Sequence, residues 1–161
     1  MKSKNKLPLQ HDAILPAPFG AVAISAQGMQ IVIELLTKKM SAKQSENPKV
    51  QQVVLAIEAY LTNANNDFNL PFVLAGTDYQ RRVWQAICAI PCGQVQSYSE
   101  IAAQIGSHPR AVANACGANH IPLLVPCHRV VAKNGIGGFM QGDVNGLAIK
   151  KWLLRHEGFE F

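Results

Sequence analysis

Nothing in this sequence is apolar for long enough to span a membrane. The basic opening, Met1-Lys2-Ser3-Lys4-Asn5-Lys6, is followed by no apolar secretory core. Leu7-Pro8-Leu9 gives way at once to Gln10-His11-Asp12, so no signal peptide is read and a soluble, cytoplasmic protein is expected. Cysteine is sparse: Cys88, Cys92, Cys116 and Cys127 should stay reduced in that compartment, which argues against a disulfide scaffold. No CxxC or His-pair spacing occurs. Zinc would have to combine Cys88 and Cys92, at i,i+4, with Cys116 and Cys127, so a metal is a minority reading and none is expected. Residues 1–75 contain one histidine, His11, with no cysteine in that half, and no stretch there has the shape of a catalytic motif.

Charge is also limited. Charged residues make up 16% and hydrophobic residues 48%, a globular rather than disordered balance, and 161 residues can bury a real core. The net charge is +5. Residues 1–80 hold seven Lys/Arg against six Asp/Glu, whereas residues 81–161 hold eight against four, so the basic excess lies in the second half. That suits a polyanionic partner.

Gly20 to Ser25 and Gln30 to Leu36 are apolar stretches separated by Ala26-Gln27-Gly28-Met29, the pattern of a hairpin. Lys38 to Asn47 reads as a loop. Pro48 then opens a helix whose Val50, Val53, Val54, Ile57 and Leu61 form an apolar stripe. After a polar break, Leu70 to Ala75 is strand-like, and a domain boundary is placed beside it.

The second half begins with Thr77-Asp78 as a cap and Tyr79, Val83, Trp84, Ile87 and Ile90 at helical spacing, stopped by Pro91-Cys92-Gly93. Ser99, read as an N-cap, opens a short helix to Ile105. Gly106-Ser107-His108 turns the chain, and Pro109 starts a second helix through Cys116. Two short helices around a glycine turn form the helix-turn-helix pattern, with an ordinary helical hairpin in a core as the alternative. The second helix offers only Arg110 and Asn114 among small residues. If it meets DNA, it reads shape and phosphate with little sequence preference. The last helix begins near Leu147, with Ala148, Ile149, Trp152, Leu153 and His156 on one face, Glu157 at its end and Gly158 as a cap.

The apolar run Ile121 to Val125 delivers Pro126-Cys127-His128-Arg129-Val130. Neighbouring His or Arg charge lowers a thiol pKa, while a lone cysteine is as readily a buried structural residue. Cys127, His128 and Glu157 together supply a thiol, a base and a group to orient the base. Adjacent residues of an extended segment face opposite sides, so Cys127 and His128 are expected to communicate through a bridging water, with Glu157 fixing the imidazole tautomer.

That motif resembles the active site of the methylated-DNA–protein-cysteine methyltransferases, or 6-O-alkylguanine-DNA alkyltransferases. Gly76 to Gln80, Val83-Trp84, Ile90-Pro91, Ser97-Tyr98, Arg110-Ala111-Val112, Asn119 and Trp152 to Gly158 fall in the family's order, covering residues 76–158. The expected fold class is α/β, of the α+β kind: a small N-terminal domain over 1–75 with a hairpin and a helix, then an α-rich, winged-helix-like helix-turn-helix domain over 76–161. The resemblance implies irreversible, single-turnover transfer of an alkyl group from 6-O-alkylguanine in duplex DNA to Cys127, after the base is flipped out. It needs no cofactor. The partner is double-stranded DNA, met through the minor groove by a monomer, and acceptance of 4-O-alkylthymine stays open.

By the same resemblance Arg110 fills the gap in the stack. Tyr98 crowds the target phosphate and protonates the leaving base, and Asn119 braces the site. Ala111, Asn114 and Arg129 join Arg110 and Tyr98 on the DNA, and Val130, Phe139, Met140 and Trp84 line the base pocket. The chain departs from the pattern in a longer Phe139–Leu147 loop, in Tyr79 where Phe is usual, and in lacking the N-terminal zinc ligands of some relatives. The rival readings are an alkylated-DNA-binding protein without transfer, a cysteine hydrolase and a pure regulator. The first is opposed by Cys127 itself, the second by the adjacency of Cys to His, and the third by the lack of a sensor domain.

Overall fold

The computed structural model describes residues 10–66, 68, 70, 72, 74–139 and 146–160. Three antiparallel strands lead, β1 (Ala13–Ala17), β2 (Gly20–Gln27) and β3 (Gln30–Leu36), with β2 in the centre. Gly28, at φ +62°, and Met29 make the two-residue turn of the β2–β3 hairpin, closed by the Gln27–Gln30 pair. Strand β1 was not expected from sequence, because Pro16 and Pro18 masked it. Proline is tolerated there because β1 is an edge strand, whose outer side, among the described residues, pairs only at the Ile14–Lys43 bridge.

Helix α1 (Pro48–Thr62) packs on this sheet. The Asn47 side chain accepts from Lys49 N and Val50 N, and Pro48 occupies the first turn, where no N–H is needed. Its buried face is Val50, Val53, Ile57 and Tyr60, so the expected stripe continues into an aromatic with a hydroxyl. The described residues Leu70, Phe72, Leu74 and Ala75 lie in no strand, which corrects the strand expected over 70–75. Leu70, Phe72 and Leu74 pack on the core without a backbone ladder.

Helix α2 (Asp78–Cys88) starts with a reciprocal capping box between Thr77 and Gln80. It ends at Cys88, so Cys92 lies beyond the helix and the two do not share a helical face. Among the described residues no cluster of three metal-binding side chains forms. Strand β4 (Gln96–Ser97) runs straight into α3 (Tyr98–Ile105). The N-cap is Ser97, paired with Glu100, and not Ser99. Gly106 ends α3 at φ +68°, a left-handed conformation that glycine reaches without a side-chain clash. After Ser107 and His108 comes α4 (Pro109–Gly117), packed against both α2 and α3.

Strand β5 (Val130–Val131) pairs in parallel with β4, and α5 (Gly146–His156) closes the fold. The buried face of α5 is Gly146, Ile149, Lys150, Leu153 and Leu154. It is therefore rotated from the expected one: Ala148 is exposed, and Lys150 is inside. Gly158, at φ +90°, caps the end while Phe159 N donates to Leu154 O. Strands and helices together make the mixed α/β architecture anticipated. One continuous apolar cluster runs from Val22 and Ile57 to Trp84, Val125 and Leu153. No helix among the described residues is long and apolar enough to cross a membrane.

Candidate active site at Cys127

Cys127 arrives on a tightly tied segment. Val125 N donates to Ile121 O at 3.0 Å, and Leu123 between them holds φ +78°, which a leucine adopts only when its surroundings impose it. Asn119 supplies much of that constraint. Its Oδ1 accepts from Ile121 N at 2.9 Å, and its Nδ2 donates to Val125 O at 2.9 Å and to Cys127 Sγ at 3.2 Å. The side chain thus ties the end of α4 to the sulfur. From the other side, Ile33 N of β3 donates to His120 O at 2.9 Å, anchoring the segment on the sheet.

The motif is not extended, as the sequence suggested, but a single 3-10 turn over Cys127–Arg129, with Arg129 N donating to Pro126 O at 2.9 Å. Cys127 and His128 still have separate partners. The His128 ring is 1% exposed, and its Nε2 lies 2.7 Å from Glu157 Oε2. Its Nδ1 has no hydrogen-bond partner among the described residues. Burial lowers the pKa of this imidazole despite the adjacent carboxylate, so the ring is neutral at pH 7. With Nε2–H donated to Glu157, Nδ1 carries the free lone pair of a general base.

Glu157 is the hub. Its Oε1 accepts from Arg129 Nε at 2.8 Å, and its Oε2 accepts from Arg129 Nη2 at 3.0 Å, from His128, and from the Tyr60 hydroxyl at 2.5 Å. Burial alone would raise this carboxyl. The hydrogen bonds from His128 and Arg129, with that from Tyr60 as a smaller contribution, more than reverse it and hold Glu157 ionised well below the usual carboxylate range. Burial and the Glu157 charge push the Tyr60 phenol far above its ordinary value, so it stays a donor.

The thiol itself departs from the sequence expectation. Contact with the Cys116 thiol and burial raise Cys127, and the Asn119 donor and the Lys150 charge oppose them. Arg129 does not offset this, because its charge is spent on Glu157 and its Nη1 donates to Ile90 O at 2.7 Å. The resting group is a thiol that needs a base.

Facing the thiol is a second cluster. Lys150, fully buried, donates from Nζ to Val130 O at 2.7 Å and to Gly138 O at 2.8 Å, and lies 5.9 Å from the centre of the Tyr98 ring. Burial pulls its pKa down to about 8. The Tyr98 hydroxyl donates to Gly138 O at 3.3 Å, and burial pushes that phenol up to about 12. Gly137, at φ +77°, lets the ring lie on this loop, since a Cβ would come within 3.0 Å of it.

Residues 78–159 match the family described as 6-O-methylguanine DNA methyltransferase, DNA binding domain. The chain belongs to this family. A methylated-DNA–protein-cysteine methyltransferase of Salmonella typhimurium is 54% identical over 86 residues, which are 52% of this chain and 48% of that one. The chain therefore matches about half the length of that relative. A methylated-DNA–protein-cysteine methyltransferase of Methanosarcina barkeri is 36% identical over 152 residues, 89% of this chain and 94% of that protein. The crystal structure of the Mycobacterium tuberculosis OGT in complex with DNA superposes with a TM-score of 0.70 at 33% identity, covering 89% of this chain and 90% of that one.

Within this methyltransferase fold the expected site residues divide. Asn119 bonds Cys127 and Glu157 bonds His128, two pairs joined where Cys127 and His128 are neighbours in the chain, and Tyr98 stands over the adjoining loop. Arg110 and Asn114 are exposed and one turn apart on α4, with Ala111 half-buried beside them. Two assignments are corrected. Arg129 is not available to DNA, because its guanidinium is bound to Glu157 and Ile90 O. Trp84 is packed away from open space among the described residues: it is 1% exposed, donates from Nε1 to Ala115 O at 2.9 Å, and packs edge-on to His120. The Val130 and Phe139 side chains are buried in the core, and Met140 with Gln141 to Asn145 lies outside the described residues. Sequence reasoning passed over Tyr60 and Lys150. Lys150 could have been found, since Ile149, Leu153, Leu154 and Glu157 place it on the inward face of α5.

Proposed function

We propose that this chain repairs alkylated DNA by moving an alkyl group from the 6-oxygen of guanine in a duplex to Sγ of Cys127. The observations that carry the reading are the Asn119 amide on Cys127 Sγ and, on the next residue, a neutral His128 whose Nε2 rests on ionised Glu157 and whose Nδ1 has no hydrogen-bond partner among the described residues. His128 Nδ1 takes the thiol proton through a water. The thiolate attacks the alkyl carbon in line, the S–C bond forms as the C–O bond breaks, and the guanine leaves with a proton supplied from Tyr98. Tyr98 is suited to donate, since its raised pKa keeps the hydroxyl protonated.

The product is a thioether, which no group in this site can hydrolyse, so each molecule acts once. The target oxygen is inaccessible in stacked DNA, and the nucleotide must be extruded at a cost of a few kcal/mol. In this reading Arg110, which is exposed on a helix of small residues, occupies the space it leaves, with α4 in the minor groove and little dependence on sequence. DNA is the bound partner of the Mycobacterium relative, which supports this choice.

The test is intact mass after incubation with a duplex carrying one 6-O-methylguanine. One methyl gained per protein, mapped to Cys127, supports transfer, and Cys127→Ser should still bind the duplex without gaining mass. Binding by the native chain with no mass gain would replace this reading with a non-catalytic binder of alkylated DNA. Arg110→Ala should slow reaction with the duplex far more than with free 6-O-benzylguanine, and equal slowing removes the stack-filling role.

A further inference from the structure

We infer that Tyr60, from the N-terminal helix α1, is a positioning residue for the cysteine chemistry: its hydroxyl holds Glu157 Oε2 and limits the pull of that carboxylate on His128. This rests on the reading of Cys127 as the reactive thiol. Three elements meet at one oxygen. The 3-10 turn brings His128 and Arg129, the end of α5 brings Glu157, and α1 brings the phenol at 2.5 Å. Among the described residues, Tyr60 is the residue of α1 that bonds to the site.

The hydroxyl cannot swing away. Tyr60 is 1% exposed, its ring packs edge-on to His156 and against Phe68, and its carbonyl accepts from His156 Nε2 at 2.7 Å. Packing alone would be served by phenylalanine. A buried hydroxyl aimed at the carboxylate that orients the base is an electrostatic part, and its removal has a calculable sign.

The charged and titratable groups around the pair are His156 from α5 and Glu157 just after it, His128 and Arg129 from the 3-10 turn, Cys92 from the turn after α2, and Lys150 further off. Arg129 and Lys150 disfavour imidazolium, and Glu157 favours it. Tyr60 shares the Glu157 charge, which weakens that pull. Without the hydroxyl, imidazolium forms more readily, His128 protonates at higher pH, and Nδ1 stops accepting the thiol proton sooner as pH falls.

The experiment is the pH dependence of Cys127 alkylation in Tyr60→Phe, with two probes mapped by mass: free 6-O-benzylguanine and iodoacetamide. The acid-limb midpoint should rise by about half a unit to one unit with both probes. A uniform loss of rate with an unmoved midpoint is what a packing residue would give, and it overturns the inference. If Tyr60→Phe does not fold, 3-fluorotyrosine at position 60, a stronger donor of nearly the same size, should lower the midpoint, and an unmoved midpoint there is equally decisive. A midpoint shift with iodoacetamide in a protein whose native form ignores 6-O-benzylguanine leaves the Tyr60 role standing and removes the transfer reading alone.

Discussion

Asn119 and Cys127 divide one problem between them. A thiol that is 5% exposed and close to a second thiol resists ionisation, and the Asn119 amide is a hydrogen-bond donor that favours the anion. Asn119→Ala removes that donor and also the bonds to Val125 O and Ile121 N, which hold Leu123 in its left-handed turn. Alkylation of Cys127 by iodoacetamide at neutral pH should slow roughly tenfold, the worth of one hydrogen bond to an ionised group. Unfolding in urea should show a loss of about 1–3 kcal/mol from the unpaired backbone groups. The sequence named Asn119 through its place in a motif. Its dual hold on backbone and sulfur needed coordinates, because its partners lie two to eight residues away along an irregular path.

At the scale of elements, the short helices depend on their ends. Helix α3 has eight residues, too few to persist alone, and its start is fixed by the reciprocal Ser97–Glu100 bonds at 3.1 and 2.8 Å. Ser97→Ala should cost about 1 kcal/mol in urea unfolding. Ser97 is also the last residue of β4 and directly precedes Tyr98, so reaction with 6-O-benzylguanine should slow as well, through looser placement of Tyr98. Helix existence was legible from the spacing of apolar residues and from Pro48 and Pro109. Caps were less so: Ser97 and Ser99 both suit the role, and only the β4–β5 pairing shows that the chain is still extended at Ser97. Strand β1 was hidden because an edge strand tolerates the prolines that argue against a strand.

For the whole molecule, buried histidines tie stability to pH. Burial lowers His128 and His120 below their ordinary value of 6.5 in the folded chain. As pH falls below about 6.5, the unfolded chain gains protons the folded one refuses, so stability drops with pH. Glu157 acts in the same direction at lower pH, since its depressed carboxyl contributes stability above the ordinary value of 4.5 that is lost on further acidification. The urea midpoint should therefore be lower at about pH 5 than at about pH 7.5. His120→Phe should reduce the difference, and a midpoint that does not change with pH would contradict the burial of both rings.

Local pattern alone determined the helices of the second half, the β2–β3 hairpin and the identity of the thiol, because periodicity, turn glycines and the Pro126–Val130 motif are properties of neighbouring residues. Only the tertiary structure decided what each polar side chain is for. It turned Arg129 inward to Glu157, placed Lys150 under Tyr98 and the Gly138 loop, and carried Tyr60 across 97 residues to the oxygen that His128 uses. The physical reason is desolvation: a buried charge or hydroxyl must find a partner, and that partner is set by which elements pack together rather than by which residues are adjacent in the chain.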